Sequence, residues 1–341
     1  MKDVRDFTLE LLRHGPPHNQ LLSPLTRYMA LCASHGAETV LVPFEHWQFL
    51  DRWRSLRYEH QSRETTLLEM AKEIGELLDT IPGLIAELAR SPDDGRELIH
   101  LRLVVSASEL ALLPFELANA PKGGPGTGRP LLMQAVAPVT LTREVRHVRV
   151  DRISWPTKPK ILFAAASPPG VGEIPFEAHL LALRQAIEPW VKAYDAKVPA
   201  ARTAEISKHL TILNRASMRE IQDACADGGF THVHVLAHGI ERKVAHETRF
   251  GLALHESGNP AGTDLVEGAR LATALRAHAS GAGNGLSSPS VVTVASCDSG
   301  NVGSVMVPGA SLAHDLHMSG IPLVVASQFP LSFSGSILMT R

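Results

Sequence analysis

Thr231-His232-Val233-His234-Val235-Leu236-Ala237-His238-Gly239 is the stretch on which the fold reading turns. Its apolar part has the length of a buried strand, and it stops at a histidine followed by glycine. Similar runs lie on either side of it. Residues 161–166, 210–213, 290–295 and 321–327 each read as short apolar strands. Between them, 175–192, 218–226, 263–277 and 310–318 carry helical periodicity. Strands alternating with helices of this length predict an α/β unit whose mostly parallel sheet is covered on both faces. An insert after the strand at 231–237 contains a further short strand at 250–254, and the Gly/Ser-rich run 280–288 reads as a surface loop.

The first half is patterned differently. Residues 1–35 read as one or two short leading helices broken at Gly15-Pro16-Pro17. Val40-Leu41-Val42-Pro43-Phe44 is β-rich, and 63–89 is an amphipathic helical stretch interrupted at Pro82-Gly83. Residues 101–106 and 136–141 are strand candidates, 121–130 is a flexible loop, and 154–159 reads as a linker between halves.

In a parallel α/β sheet, reactive groups collect beyond the carboxyl ends of the strands. Two such ends carry chemistry here: Ala237-His238-Gly239 and Ala295-Ser296-Cys297-Asp298-Ser299-Gly300. A single cysteine after a strand is ordinarily a small buried apolar side chain. This pair differs because both residues follow apolar strands at one sheet edge, both have small neighbours, and a helix separates them. A thiol needs an adjacent imidazole to become a good nucleophile. It also needs N–H donors aimed at the developing oxyanion, for which the amides of Gly239 and Cys297 are the candidates.

Other chemistries fit less well. His232, His234 and His238 invite a metal reading, but no carboxylate partner lies in the segment, and His234 reads as packing beside the reactive edge. No G-x-S-x-G stands on a strand-to-helix turn, which sets a serine hydrolase aside. Cys32, Cys225 and Cys297 are too few and too far apart for a disulfide framework or a zinc site. A net charge of −2 gives no electrostatic case for nucleic acid or an anionic membrane. The acidic residues in the first fifteen positions argue against a signal peptide, and no apolar run is long enough to span a bilayer. A cytoplasmic protein with free thiols is expected.

At these residues the chain resembles the CHAT domains of the caspase-like (clan CD) cysteine peptidases. The resemblance rests on His234-Val235-Leu236-Ala237-His238-Gly239 and Val294-Ala295-Ser296-Cys297-Asp298-Ser299-Gly300. It extends to Gly309-Ala310-Ser311-Leu312-Ala313 and to 321–330. In the first half it includes Leu113-Pro114-Phe115-Glu116-Leu117, similar to an "LPWE" element, and Arg143. Residues 36–155 would then form a degenerate caspase-like half after a helical extension (1–35), and 156–341 the catalytic half. The resemblance implies an endopeptidase with Cys297 as nucleophile and His238 as base and acid, requiring no metal or organic cofactor. Protein or peptide substrates, an activating protein partner and a role in bacterial defence or cell death are further expectations; the alternative is a silent scaffold that binds partners.

The chain departs from the pattern at two places. Ala295 stands where metacaspases carry an Asp, and Phe329-Pro330-Leu331-Ser332 lacks the acid usual after that strand. Asp298, Ser327 and Phe329 are the pocket candidates. Arg341 at the end of the sequence raises the further expectation of processing after arginine.

Overall fold

The computed structural model describes residues 3–14, 21–58, 61–90, 97–134, 138–144, 158–191, 199–244, 247–276, 288–297, 311–328 and 331–340. The chain divides into two compact units, Met1–His147 and Val148–Arg341.

The first unit opens with three strands: β1 (Asp3–Arg13), β2 (Arg27–Cys32) and β3 (Ala37–Leu41). The expected leading helices are therefore corrected to strands. The physical reason is a period of two: Phe7, Leu9 and Leu11 are buried with polar residues between them, and in β2 Tyr28, Ala30 and Cys32 repeat the pattern. Helix α1 (His46–Tyr58) follows. The stretch that Pro82 was expected to interrupt forms two helices, α2 (Arg63–Leu78) and α3 (Pro82–Ala89), with Pro82 in the first turn of the second. Strands β4 (Glu97–Val105) and β5 (Val139–Glu144) complete a sheet of order β3-β2-β1-β4-β5. β1, β4 and β5 run parallel, and β2 and β3 pair antiparallel.

Two polar clusters fasten this unit. Glu109, 1% exposed, accepts from Arg13 Nε and from the Tyr28 hydroxyl, each at 2.9 Å. Arg143 on β5 grips the Leu113–Leu117 element. Its Nε donates to Glu116 at 2.7 Å, and its terminal nitrogens donate to the carbonyls of Ala111 and Leu113 at 2.8 Å.

The second unit begins with β6 (Ile161–Ala166), α4 (Phe176–Ile187), α5 (Pro199–Ser207), β7 (Leu210–Leu213) and α6 (Met218–Gly228). Next come β8 (His232–Val244), β9 (Glu247–Glu256), β10 (Asn259–Val266) and α7 (Gly268–Leu275). The unit closes with β11 (Val291–Ala295), α8 (Leu312–Met318), β12 (Leu323–Ala326) and α9 (Phe333–Thr340). Five strands pair in parallel in the order β7-β6-β8-β11-β12.

The sheets are nonetheless mixed, not mostly parallel, which corrects the expectation. β8 does not end at 237. Its parallel ladder stops at Ala237, and from His238 onward it pairs antiparallel with β9, which in turn pairs with β10. The hairpin turns on the two-residue loop Ser257-Gly258, where Gly258 takes φ +80°. That turn makes 259–266 a returning strand, so α7 starts at Gly268 and not near 263.

Alternation sorts the parallel strands into two cores. Leu162, Ala164, Val233, Val235, Val292 and Val294 face α6, α7 and α8. Phe163, Ala165, Leu236 and Ala295 face α4, with Met339 of α9 packed against the same cluster. No helix among the described residues is long and apolar enough to cross a membrane.

Candidate active site

β8 and β11 are neighbours in parallel register, with Ala295 opposite Leu236. Two residues further along each chain come Cys297 and His238. By alternation His238 lies on the face of Leu236, which packs beside Ala295 in the core under α4. Both residues therefore lie just past the same end of the β8–β11 ladder, where β8 passes from parallel pairing into the hairpin with β9.

Gly239 brings the two backbones into contact. A Cβ at this position would lie 2.0 Å from the Cys297 carbonyl oxygen and 3.0 Å from Ser296 Oγ. Only a residue without a side chain lets β8 pass this close to the nucleophile's main chain.

The imidazole is held from the loop after β6. His238 Nε2 lies 3.2 Å from the Glu173 carbonyl oxygen, and Gly172, at φ +93°, sits against the same edge of the ring. A carbonyl can only accept, so Nε2 carries a hydrogen.

The thiol is half-buried. Its Sγ accepts from the Leu331 amide at 3.2 Å and lies 3.7 Å from the Leu331 carbonyl oxygen. Among the described residues Cys297 and His238 thus bond to Leu331 and Glu173, not to each other. Cys32 and Cys225 differ in kind: burial pushes both thiols up to about 12, Glu87 adding to the effect at Cys32.

Of the pocket candidates, Ser327 directly follows β12, whose ladder with β11 ends at Val294 opposite Ala326. It therefore stands at the same strand ends as Cys297. Asp298 and Phe329 lie outside the described residues, as do Ser299, Gly300 and Arg341. His234 does not join His232 in a metal cluster, and none of three or more His, Cys, Asp or Glu forms among the described residues. Instead His234 is 3% exposed and bonds through Nε2 to His179 Nδ1 at 3.0 Å.

Sequence reasoning did not find Glu173, Leu331 or His179. Glu173 and Leu331 act through main-chain atoms, which carry no residue signature. The only hint of the first was the Ser167-Pro168-Pro169-Gly170 turn after β6. His179 is one of seventeen histidines and sits in an otherwise ordinary amphipathic helix.

A thiol and an imidazole thus stand just beyond the paired ends of the adjacent parallel strands β11 and β8. The family model of the CHAT domain matches residues 68–341, and the chain belongs to that family, a domain of the caspase-like cysteine peptidase clan. No curated protein matches the chain.

Proposed function

We propose that this chain is a cysteine endopeptidase with Cys297 as nucleophile and His238 as general base and acid. The observation that supports the reading is the register of β8 against β11, with Ala295 opposite Leu236 two residues before Cys297 and His238.

In this mechanism Nδ1 of His238 takes the thiol proton and Sγ attacks the scissile carbonyl carbon. The oxyanion is met by main-chain N–H groups, those of Gly239 and Cys297 being the proposed donors. Collapse of the tetrahedral species breaks the C–N bond. His238 gives its proton to the leaving amine, and a thioester remains. Water, deprotonated by His238, then attacks the thioester, and the thiol returns as the acid is released.

Ser327 contributes to the substrate pocket in this reading, with Asp298 and Phe329 as the further proposed members. The setting we propose is the one the family implies: a regulated protease of bacterial defence or cell death, cytoplasmic, switched on by a protein partner.

The test is cleavage of a fluorogenic peptide library by wild type, Cys297→Ala and His238→Ala. Activity lost in both variants supports the reading and gives the preferred residue before the scissile bond. Activity that survives in Cys297→Ala overturns the assignment. Silence in all three proteins, with an unreactive Cys297 thiol, would select the scaffold reading.

A further inference from the structure

Beneath the reactive edge lies a polar cluster that the proposed mechanism does not use. His179, on the first turn of α4, is fully buried. Its Nδ1 meets His234 Nε2 at 3.0 Å and Thr340 Oγ1 at 2.9 Å, and its Nε2 meets Ser336 Oγ at 2.9 Å. Ser336 Oγ also lies 2.8 Å from the Phe333 carbonyl, and Thr340 Oγ1 2.8 Å from the Ser336 carbonyl.

Counting protons fixes the pattern. The Ser336 hydroxyl donates to the Phe333 carbonyl, so it accepts from His179 Nε2–H. Nδ1 of the neutral ring is then an acceptor and takes the His234 Nε2–H. The Thr340 hydroxyl donates to the Ser336 carbonyl or shares that lone pair. One imidazole thus ties the central strand β8, through His234, to α9, through Ser336.

The same helix ends at the thiol. Ser332 caps its N-terminus, Oγ accepting from the Gly335 amide at 3.0 Å. The residue before that cap is Leu331, whose N–H donates to Cys297 Sγ. Two main-chain groups of Leu331 face the sulfur: the amide at 3.2 Å favours the thiolate, and the carbonyl, farther off at 3.7 Å, is the longer contact, made by the thiol form.

We infer that His179 is a positioning residue for the nucleophile: by clamping α9 it holds the Leu331 amide on Cys297 Sγ, and so sustains the thiolate. This deepens the protease reading and rests on it. Among the described residues, His234 of β8 is the titratable side chain that bonds to His179, and the groups bonded to Cys297 Sγ are the main-chain N–H and carbonyl of Leu331.

The experiment measures the rate of Cys297 alkylation by iodoacetamide against pH, read by peptide mass spectrometry. It compares wild type, His179→Ala, His179→Gln, Leu331→Pro and His238→Ala. Leu331→Pro deletes the donor itself and leaves the histidine cluster in place. The inflection should move upward in His179→Ala and in Leu331→Pro, slowing alkylation near neutrality about tenfold. The His179→Ala/Leu331→Pro double variant should be no slower than either single one, because both act through one bond. His179→Gln, which can still donate to Ser336, should recover part of the rate.

An unmoved inflection in His179→Ala, or in Leu331→Pro, overturns the inference. If His179→Ala does not fold, Ser336→Ala removes the same bond at the cost of one oxygen and is judged by the same criterion. The His238→Ala arm separates the two claims. A thiol that depends on His238 but not on His179 leaves the protease reading standing without this relay. One that depends on His179 but not on His238 does the reverse.

Discussion

Gly239 and Cys297 touch through their main chains: a Cβ on the glycine would fall 2.0 Å from the cysteine's carbonyl oxygen. Backbone cannot yield as the far end of a flexible side chain can. Gly239→Ala must therefore push β8 and β11 apart where His238 and Cys297 are presented. Overpacking of this kind costs roughly 1–3 kcal/mol. Displacement at the reacting atoms should lower peptidase turnover about a hundredfold. Steady-state kinetics and urea unfolding of the variant check both parts; unchanged turnover would show that the contact is not needed.

The three cysteines should separate cleanly under alkylation. Cys297 is half-buried, whereas Cys32 and Cys225 are buried and their thiols are pushed up to about 12. Limited iodoacetamide treatment of the native protein should label Cys297 alone, and the other two should react only after unfolding. Peptide mapping reads the result. Equal labelling of Cys225 in the native state would contradict the packing of α6.

The buried histidine pair should make the second unit acid-sensitive. Burial holds His179 down at about 4, and burial with the neighbouring His179 holds His234 at about 3, both below the ordinary 6.5. The unfolded chain therefore binds protons at pH values where the folded chain does not. The stability from keeping the pair neutral is whole above the ordinary value and is lost as pH falls from there toward about 4. The slope is on the order of 1 kcal/mol per pH unit for each ring. Urea midpoints across that window should fall with acidification, and His179→Leu/His234→Leu should flatten the curve. An equal slope in the double variant would sink the assignment.

Glu109 anchors the first unit from inside, accepting from Arg13 and Tyr28 at 1% exposure. Glu109→Ala leaves a guanidinium and a phenol facing an empty site, which should cost about 3–5 kcal/mol. Glu109→Leu combined with Arg13→Met should recover much of that loss, because an apolar pair no longer needs the missing charge. Denaturant unfolding of both variants decides it.

Arg143 should resist conservative replacement. Lysine keeps the charge but cannot reach Glu116 and the carbonyls of Ala111 and Leu113 together, as the planar fork does. Arg143→Lys should lower stability by about 1–2 kcal/mol in the same measurement.

The pairing of the strands that lead to His238 and Cys297 was legible because apolar runs such as 161–166 and 291–295 announce a buried sheet. The strands at 3–13 and 259–266 were harder to read. In the first, the period of two begins only at Phe7. In the second, Ser257-Gly258 is the sole mark of a turn between pieces of similar composition. The continuation of β8 past 237 was hidden for a related reason. The expected strand stopped at 237 because Glu241, Arg242 and Lys243 break the apolar run, yet they pair with Phe250, Arg249 and Thr248 in the hairpin. The holders of the site, Glu173 and Leu331, contribute atoms every residue possesses, so no pattern of side chains could single them out.

The parallel pairing of β8 with β11 has a consequence for how the site comes into being. His238 and Cys297 belong to segments far apart in sequence, and their meeting depends on one choice of alignment. A slip by a single residue would turn Val292 and Val294 away from α6, α7 and α8 and carry the thiol to the opposite side of the sheet. Under the proposed function misaligned chains are chemically mute, and alkylation of Cys297 then doubles as an assay of correct folding.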